Sequence, residues 1–525
     1  MSKAAEMAKV SAKGGFHIFW GLVTSTIISA VGTILVARLL APSEYGLYAI
    51  ALVAPNLIQN FRDWGVNVAM IKYSAQYNSE NQTAKIKSIL ISGLFFETVL
   101  GLTLSIISLF LSSFLANTVF QRPTITPLIQ IASFSILAGA FLNTAQAAFT
   151  GIERMELNSV MLIIQSVIKT LLIPSLVIIG LQAFGATVGY TLSFLLAGLT
   201  GLLLMVTMYK SLPKQENKKL ELWANTKIML KYGLPLSIAT ILGGLLTQFY
   251  NFLLAIYATD VLIGNYTVAT NFAVLVTFFA TPVTIMMFPA FSKLNPEKDS
   301  VTLRRVFQFS VKYAALLVVP SAALVMTLSQ PAISTLFGAE YGSAPLFLTL
   351  LAITYLYSAF GNLSIGNLIN GQGQTVFNMK LALLTAAIGF PTGFILISGF
   401  GVLGLITTSL IAGIPSLIIS LRWIKKNYKV TVDWVSSAKI LLSSAIAAAV
   451  TYILTFHLTL SNWILLIIGT IIFLPTFIIT ILLTKAINRL DISSLREMLS
   501  TLGPLSAIIN RLLNIIEKIM NILRL

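Results

Sequence analysis

The sequence predicts an all-α membrane protein that crosses the bilayer about fourteen times as helices long enough to span it. Of its 525 residues, 57% are hydrophobic and only 10% are charged, and the mean hydropathy is +0.89. These values lie far outside the averages of soluble proteins. Apolar runs of about 20 residues, the length of a membrane-spanning helix, recur almost from end to end. No large soluble domain fits between them.

Each predicted span is long enough to cross the hydrocarbon core with some tilt. In chain order the spans are 17–39, 45–67, 88–114, 125–149, 158–180, 185–208, 232–257, 265–291, 313–336, 344–368, 377–398, 401–423, 437–457 and 462–484.

The distribution of basic residues predicts the topology. The formal net charge is +17, and numbering the loops alternately places nearly all lysines and arginines in one set. The opposite set holds only Arg38 and Arg122. Because cytoplasmic loops are enriched in lysine and arginine, we expect a multi-pass plasma-membrane protein with both termini in the cytoplasm. The positive charge therefore indicates how the protein is oriented in the membrane, and a nucleic-acid partner is not expected.

The residue inventory argues against several kinds of chemistry. The chain has no cysteine and two histidines, which disfavours disulfides and thiolate or histidine-rich metal sites. It contains no phosphate-binding loop, no H-E-x-x-H zinc motif and no G-x-S-x-G nucleophile motif. We therefore expect a protein that is not an enzyme and holds no cofactor or metal.

An internal repeat predicts the domain organisation. The polar, basic segment 210–231 is expected to be a cytoplasmic linker between two six-helix lobes, 1–209 and 232–424. A shift of 218 residues pairs identical residues across it, including Lys13 with Lys231, Gly15 with Gly233, Gly46 with Gly264 and Tyr48 with Tyr266. Because six helices separate equivalent positions, the lobes would be related by a pseudo-two-fold axis along the membrane normal. Segment 425–484 would add helices thirteen and fourteen. Segment 485–525 would be a cytoplasmic amphipathic tail that lies on the membrane leaflet or, alternatively, packs under the bundle or against a second copy.

Two charges inside the spans are the first candidates for function. Lys169 lies near the middle of the fifth span, one turn after Gln165, and Glu97 lies near the middle of the third. An ionisable residue within a membrane helix costs about 2.5–3.5 kcal/mol on insertion scales unless it faces protein or water. Lys169 is predicted to face a hydrated cavity and attract an anion, with Glu97 as counter-charge or proton carrier. The alternative is a structural ion pair between the two residues.

Further polar residues in the spans are candidates for contacts with substrate. Arg62 and Asp63 lie towards the cytoplasmic end of the second span, where Arg62 reaches a cavity mouth or snorkels to the interface, neutralised by its neighbour. Four asparagines are candidates for binding sugar hydroxyls, although bridging between helices is the commoner role of such side chains. They are Asn143, Asn251, Asn271 and Asn362.

The stretch from Ala37 to Tyr48, A-R-L-L-A-P-S-E-Y-G-L-Y, resembles the start of polysaccharide-biosynthesis membrane proteins. These are the oligosaccharide flippases of the multidrug/oligosaccharidyl-lipid/polysaccharide exporter superfamily, which are related to multidrug and toxin extrusion transporters. Asp63-x-Gly65, Gly151 and the segment from Asp491 to Leu495 agree with the same pattern. The resemblance covers essentially the whole chain, and the first hairpin is its most specific part.

The resemblance implies a flippase that moves a polyprenyl-phosphate-linked or polyprenyl-pyrophosphate-linked oligosaccharide from the cytoplasmic to the outer leaflet by alternating access. It implies basic side chains in the cavity for the anionic carrier. Here Lys169 and Arg62 are the obvious ones in the first lobe. Membrane lipid and the glycosyltransferases or polymerase of the same pathway would be the partners.

Two other functions stay open. A proton- or sodium-coupled antiporter of drugs or amphiphiles would share the architecture. The drug-exporting relatives often carry a carboxylate in the first or seventh helix, whereas here Glu97 is the only acid found near mid-membrane and Asp260 follows the seventh span. An integral-membrane glycan polymerase would need a substantial outer loop with clustered charges, and the outer loops are short.

Overall fold

The computed structural model describes residues 3–213, 221–278 and 291–489, together with single residues between 491 and 521. Throughout this part of the chain every regular element is helical. Seventeen α-helices lie in it: α1 (Lys3–Leu39), α2 (Pro42–Gln59), α3 (Val66–Ser79), α4 (Thr83–Phe114), α5 (Thr126–Gly151), α6 (Met155–Leu176), α7 (Gln182–Ser211), α8 (Leu222–Tyr257), α9 (Asp260–Phe278), α10 (Ser300–Thr327), α11 (Ser329–Leu336), α12 (Ala344–Tyr355), α13 (Asn362–Gly371), α14 (Thr375–Ala412), α15 (Ile414–Tyr428), α16 (Trp434–Phe456) and α17 (Asn462–Leu483).

The helices have the length and composition of a multi-pass membrane protein. Among the described residues ten helical stretches are long and apolar enough to span a bilayer, and the bent pair α12 and α13 makes an eleventh. Two of the ten, Met155–Ser211 and Thr375–Tyr428, contain 57 and 54 residues. At 1.5 Å per residue, each would be more than twice as long as the roughly 30 Å hydrocarbon core. The all-α membrane fold is confirmed, and the count of fourteen spans stays a prediction.

Both long stretches fold back on themselves at residues with positive φ. Gly180 (φ 96°) and Gln182 (φ 45°) separate α6 from α7, and these two helices pack against each other. Within α14 the reversal is at Gly401, with φ 55° and ψ −125°. A Cβ added at Gly404 would overlap the carbonyl oxygen of Leu396, eight residues earlier. Each stretch is therefore a hairpin of two helices.

The predicted second span, 45–67, is not a continuous helix. Helix α2 ends at Gln59 and α3 begins at Val66 after Gly65, whose φ is +84°. The Asp63 carboxylate stabilises the break because its Oδ1 accepts hydrogen bonds from the backbone N–H groups of Gly65 (2.9 Å) and Asn67 (3.3 Å). These donors are among those that a helix start leaves without an intrahelical partner. A glycine with left-handed backbone geometry and a carboxylate two residues before it interrupt the apolar run.

The chain divides into two compact units. The first contains Met1–Val268 with Ala382–Thr408, and the second contains Ala269–Leu381 with Ser409–Leu525. In the first unit α5 packs against α4 and α7, and α1 packs along α6. In the second, α16 packs against α10 and α17. These units do not follow the predicted boundaries, since residues 232–268 and 382–408 group with the first unit. The two six-helix lobes and helices thirteen and fourteen therefore stay predictions.

The predicted linker and tail lie partly outside the described residues. Within 210–231, residues 214–220 are not described and α8 already begins at Leu222. Most of 485–525, including nearly all of the predicted amphipathic face, is not described either. One described contact fixes the start of the tail in the second unit: Nζ of Lys312 on α10 lies 2.7 Å from Oδ2 of Asp491, which is 3% exposed.

The 218-residue repeat has a structural counterpart in the first unit. Helix α2 begins at Pro42 and α9 at Asp260, which the same shift pairs. A Cβ added at Gly46 would overlap the carbonyl oxygen of Asp260, and one added at Gly264 would overlap that of Pro42. The contact is reciprocal, as expected if a local two-fold axis relates the hairpins α1–α2 and α8–α9. Glycine is required at both positions because the backbones touch.

We expect the Gly264→Ala variant to lower the melting temperature of the detergent-solubilised protein. The added methyl group meets backbone that cannot rotate away, and overpacking of this kind costs about 1–3 kcal/mol. Gly243→Ala on α8 is the matched control, since a Cβ there meets nothing within 4 Å and alanine is the better helix former. An unchanged melting temperature for Gly264→Ala would contradict the close crossing.

Candidate functional site

A buried network of charged and amide side chains lies where the second span breaks. Nε of Arg62 is 3.2 Å from Oε2 of Glu97 on α4, and the two side chains are 3% and 0% exposed. Asn67 at the start of α3 joins the network, because its Nδ2 donates to Oε1 of Glu97 (3.1 Å) and to Oδ2 of Asp63 (3.2 Å). Burying a charge is costly unless it is paired and hydrogen-bonded. Arg62, Asp63, Asn67 and Glu97 therefore act as one unit.

The structure corrects two expectations about these charges. Glu97 pairs with Arg62 and not with Lys169, and Arg62 is buried in protein and does not snorkel to the interface. The reason is the break after Gln59. A continuous helix through residue 67 would leave Arg62 near its polar end, whereas the turn at 60–65 lets the guanidinium lie against α4 and α5. Its Nη1 is 3.5 Å from the carbonyl oxygen of Ile136 on α5.

Lys169 is left without an acidic partner. Its side chain on α6 is half-buried, and within the described ranges no carboxylate lies within 4 Å of its Nζ. The ammonium group lies 5.7 Å from the centre of the Tyr190 ring on α7. This is a cation–π contact, which provides only partial compensation for a charge within a membrane span. Lys169 therefore has unused capacity to bind an anion.

A row of aromatic rings connects Lys169 with the Arg62 network. Tyr190 contacts Phe194 one turn along α7, with 5.0 Å between the ring centres. A Cβ added at Gly139 on α5 would lie 3.1 Å from Nη1 of Arg62 and 3.8 Å from Phe194. Both groups thus border the same glycine. Lys169, Tyr190, Phe194 and Arg62 therefore follow one another in a row, which we call the cation–aromatic wall.

The other predicted site residues have different surroundings. Gln165 on α6 and Asn143 on α5 are half-buried in the first unit, and neither forms a hydrogen bond within the described part of the chain. Asn251 on α8 donates weakly to Gln248 at 3.4 Å. Asn271 on α9 and Asn362 at the start of α13 are exposed and belong to the second unit. The structure therefore places the charged candidates in the first unit, whereas Asn271 and Asn362 belong to the second.

Sequence reasoning missed three members of this site, namely Asn67, Tyr190 and Phe194. Asn67 follows Asp63 by four residues, so the helical spacing that puts i and i+4 on one face was a usable signal. Tyr190 had no comparable signal, since nothing in the sequence relates it to Lys169 on the preceding helix. The described residues contain no group of three or more histidine, aspartate and glutamate side chains arranged to hold a metal ion.

A second polar cluster joins the short loops at the other end of the first unit. Arg122, between α4 and α5, donates from Nη1 to the carbonyl oxygen of Ala255 (2.6 Å) and from Nη2 to that of Ala258 (2.8 Å). Its Nε lies 2.5 Å from Oδ1 of Asp260. The guanidinium thus caps the carboxyl end of α8, where helix carbonyls lack intrahelical donors, and pairs with the first residue of α9.

Glu44 explains why an acidic residue lies in the first hairpin. Its Oε2 accepts a hydrogen bond from the backbone N–H of Ala183 (3.1 Å), in the first turn of α7. The carboxylate therefore satisfies a donor at a helix start, where negative charge is also favoured by the helix dipole.

We expect Glu97→Gln and Arg62→Met each to destabilise the protein by about 3–5 kcal/mol, because each leaves its partner charge buried and unpaired. The double variant should lose less than the sum of the two. Denaturant unfolding of the purified protein measures this coupling. Glu156→Gln, which breaks the exposed Arg154–Glu156 pair, is the control and should change stability by no more than about 1 kcal/mol. Additive losses in the double variant would contradict the pairing.

Known proteins with this fold are membrane transporters. The chain superposes on the lipid II flippase MurJ in an inward closed conformation with a TM-score of 0.70, 17% identity, and coverage of 88% of this chain and 97% of that one. It also superposes on a multidrug resistance MATE family transporter of the MOP superfamily in an inward-facing conformation. There the TM-score is 0.60 at 18% identity, with 77% and 96% of the chains covered. At these identities the likeness establishes the fold.

Sequence relationships identify the family. The lipopolysaccharide biosynthesis protein WzxC of Escherichia coli strain K12 is 24% identical over 405 residues, which cover 72% of this chain and 77% of WzxC. The family model for polysaccharide biosynthesis proteins matches residues 11–295, more than half of the chain. The cation–aromatic wall, the Arg62 network and the loop cluster at Arg122 all lie within this matched region. The chain belongs to the polysaccharide biosynthesis protein family.

Proposed function

We propose that this protein is a flippase that moves a polyprenyl-phosphate-linked or polyprenyl-pyrophosphate-linked oligosaccharide from the cytoplasmic to the outer leaflet by alternating access. The observation that carries the proposal is Lys169, a half-buried cation in a membrane span with no acidic partner among the described residues. Membership of a polysaccharide biosynthesis family and the transporter fold support the same reading.

The charge distribution favours an anionic substrate. Glu97 neutralises Arg62 within the buried network, so we assign Glu97 and Asp63 the role of counter-charges to Arg62. Lys169 then remains the cation that faces the substrate. A phosphate group beside Lys169 would replace the water that a charged ammonium otherwise requires. The substrate would be released when the cavity opens to the outer leaflet and water surrounds Lys169.

The sugars would lie along the cation–aromatic wall. Rings of Tyr190 and Phe194 offer apolar faces to the C–H side of a sugar, and the amides of Gln165 and Asn143 offer donors and acceptors to its hydroxyl groups. Asn251, Asn271 and Asn362 are proposed as further hydroxyl contacts. Uncharged amides suit a glycan with few charges of its own.

We place the protein in the plasma membrane with both termini in the cytoplasm, because the lysine-rich loops are expected there. The reactions on either side follow from the substrate. Glycosyltransferases that assemble sugars on a polyprenyl phosphate would supply it in the cytoplasm, and a polymerase or transferase acting outside would consume it.

We expect Lys169→Met to abolish translocation of a fluorescent polyprenyl-linked oligosaccharide in proteoliposomes, while Lys169→Arg retains part of it, because the charge persists with altered geometry. Chemical quenching of the probe in the outer leaflet measures the flipped fraction. Thr170→Ala is unsuitable as a control because Thr170 bonds to Ile28. Lys439→Met replaces a lysine outside the wall, whose Nζ donates to the carbonyl oxygen of Lys485, and should leave transport unchanged.

Equal transport by wild type and Lys169→Met would contradict the assignment of Lys169 as the anion-binding residue. If wild type leaves the lipid in place while a proton or sodium gradient drives dye efflux that Glu97→Gln abolishes, the antiporter replaces the flippase.

The Arg122 cluster supplies a test of alternating access. We propose that it holds the outer side closed, since Arg122 links the α4–α5 segment to the end of α8 and the start of α9. The chain has no native cysteine, so Gln165→Cys provides a single reporter thiol. Arg122→Gln should speed its labelling by an impermeant maleimide from outside several-fold. Thr124→Ala, an exposed neighbour, is the control, and unchanged labelling in Arg122→Gln would refute the closure role.

A further inference from the structure

An apolar groove runs along the outside of helix α8 in the first unit. Its cavity has a volume of about 540 Å³ and is bounded by α8, by the first half of α14 and by Leu57 of α2. Phe249 of α8 and Phe390 of α14 meet edge to face across it, with 4.9 Å between ring centres. The lining consists of leucine, isoleucine and phenylalanine side chains and one tyrosine, Tyr257. No charged residue lines it.

The groove extends from within the span to the end of the helix. Its lining residues on α8 run from Leu245 to Tyr257, which is about 18 Å at 1.5 Å per residue. That is more than half of the roughly 30 Å hydrocarbon thickness. Tyr257 is the last residue of α8 and is 46% exposed, as expected for a tyrosine at the membrane interface. The cavity is thus long, narrow and parallel to the helix.

An amide side chain lies beside the inner end of the groove. Gly244 directly precedes the lining residue Leu245, and a Cβ there would overlap Oδ1 of Asn60 at the end of α2. The Asn60 amide therefore lies between α2 and α8 beside the groove. Its Nδ2 donates to the carbonyl oxygen of Asn56 (3.0 Å). Apolar walls that end at an amide complement an amphiphile, with its hydrocarbon along the groove and its polar group at the inner end.

One turn of α2 connects this groove with the cation–aromatic wall. Leu57 lines the groove. Two residues on, Oε1 of Gln59 would lie 3.7 Å from a Cβ at Gly139, the glycine that Arg62 and Phe194 also border. A single turn thus contacts the hydrocarbon groove on one side and the polar wall on the other.

We propose that the groove binds the isoprenoid chain of the lipid-linked substrate while its phosphate and sugars lie at the cation–aromatic wall. The identity of the chain rests on the proposed function. The groove itself is an apolar site facing a hydrocarbon solvent, so its occupant is a hydrocarbon chain. Continuity through Leu57 and Gln59 assigns that chain to the substrate, because the same turn of α2 borders both the groove and the cation–aromatic wall.

Filling the groove provides the first test. In proteoliposomes of Ile256→Trp, a variant that blocks the outer end of the groove, translocation of the fluorescent oligosaccharide on a long polyprenyl chain should fall by about tenfold, equivalent to losing the burial of roughly two methylene groups. Translocation of the same oligosaccharide on a geranyl chain should not change, since that chain is too short to reach the outer end from the wall. Leu203→Trp on α7, at a side chain that is 69% exposed, is the matched control and should affect neither probe. An equal fall for both probes, or no fall for either, would overturn the proposal.

A binding measurement separates this proposal from the proposed function. Benzoylphenylalanine at position 249 should crosslink to a radiolabelled polyprenyl phosphate in liposomes of phosphatidylcholine, and excess unlabelled polyprenyl phosphate should compete. Displacement by added phosphatidylcholine to the same extent would show an ordinary lipid contact and refute the isoprenoid site. Selective crosslinking by a protein that fails to translocate the lipid would retain the site and remove the flippase function.

Discussion

The rest of the first unit depends on the pairing of Arg62 with Glu97. A charge in the apolar part of a span is tolerated only when another group compensates it, and here each residue compensates the other at 3.2 Å. The pair forms because α2 stops at Gln59 and the chain turns through Gly65 before α3 begins. Asp63 and Asn67 hold that turn and also contact the pair. The backbone break places Arg62 beside Glu97, and the side chains that contact this pair also hold the break. The break and the buried charges therefore stabilise each other.

This pairing also distinguishes the compensated charges from Lys169. With Glu97 committed to Arg62, Lys169 remains a cation whose only described partner is the Tyr190 ring. Tyr190 and Phe194 then carry the wall from Lys169 towards Arg62. A half-buried cation beside aromatic faces, with the Gln165 amide one helical turn away, suits a ligand that is anionic at one end and a sugar at the other. The groove along α8 offers the hydrocarbon surface that such a ligand also requires, and the turn from Leu57 to Asn60 lies between the two.

The opposite end of the same unit combines close backbone contact with hydrogen bonds that can exchange with water. Gly46 and Gly264 let the hairpins α1–α2 and α8–α9 touch through backbone atoms, which gives a rigid crossing point. Arg122 adds bonds to two helix-terminal carbonyls and to Asp260, at 16% and 31% exposure for the charged pair. Such partly exposed bonds are replaced by water at modest cost. A fixed crossing beside exchangeable polar contacts is suited to a transporter that opens and closes around one axis.

The sequence by itself determined that the protein is an all-α membrane protein of the polysaccharide biosynthesis type, because hydropathy, the positions of basic residues and the Ala37–Tyr48 motif are local or compositional properties. The repeat was also readable, since Gly46 and Gly264 meet where the 218-residue shift pairs them. Only the tertiary structure decided which charges pair, where the second span breaks and where the apolar groove along α8 lies. Glu97 has no feature in the sequence that prefers Arg62 over Lys169, because both are cations in other predicted spans. Helix packing and the turn at Gly65 set the distances, and at those distances Glu97 pairs with Arg62, while Lys169 has no acidic partner among the described residues.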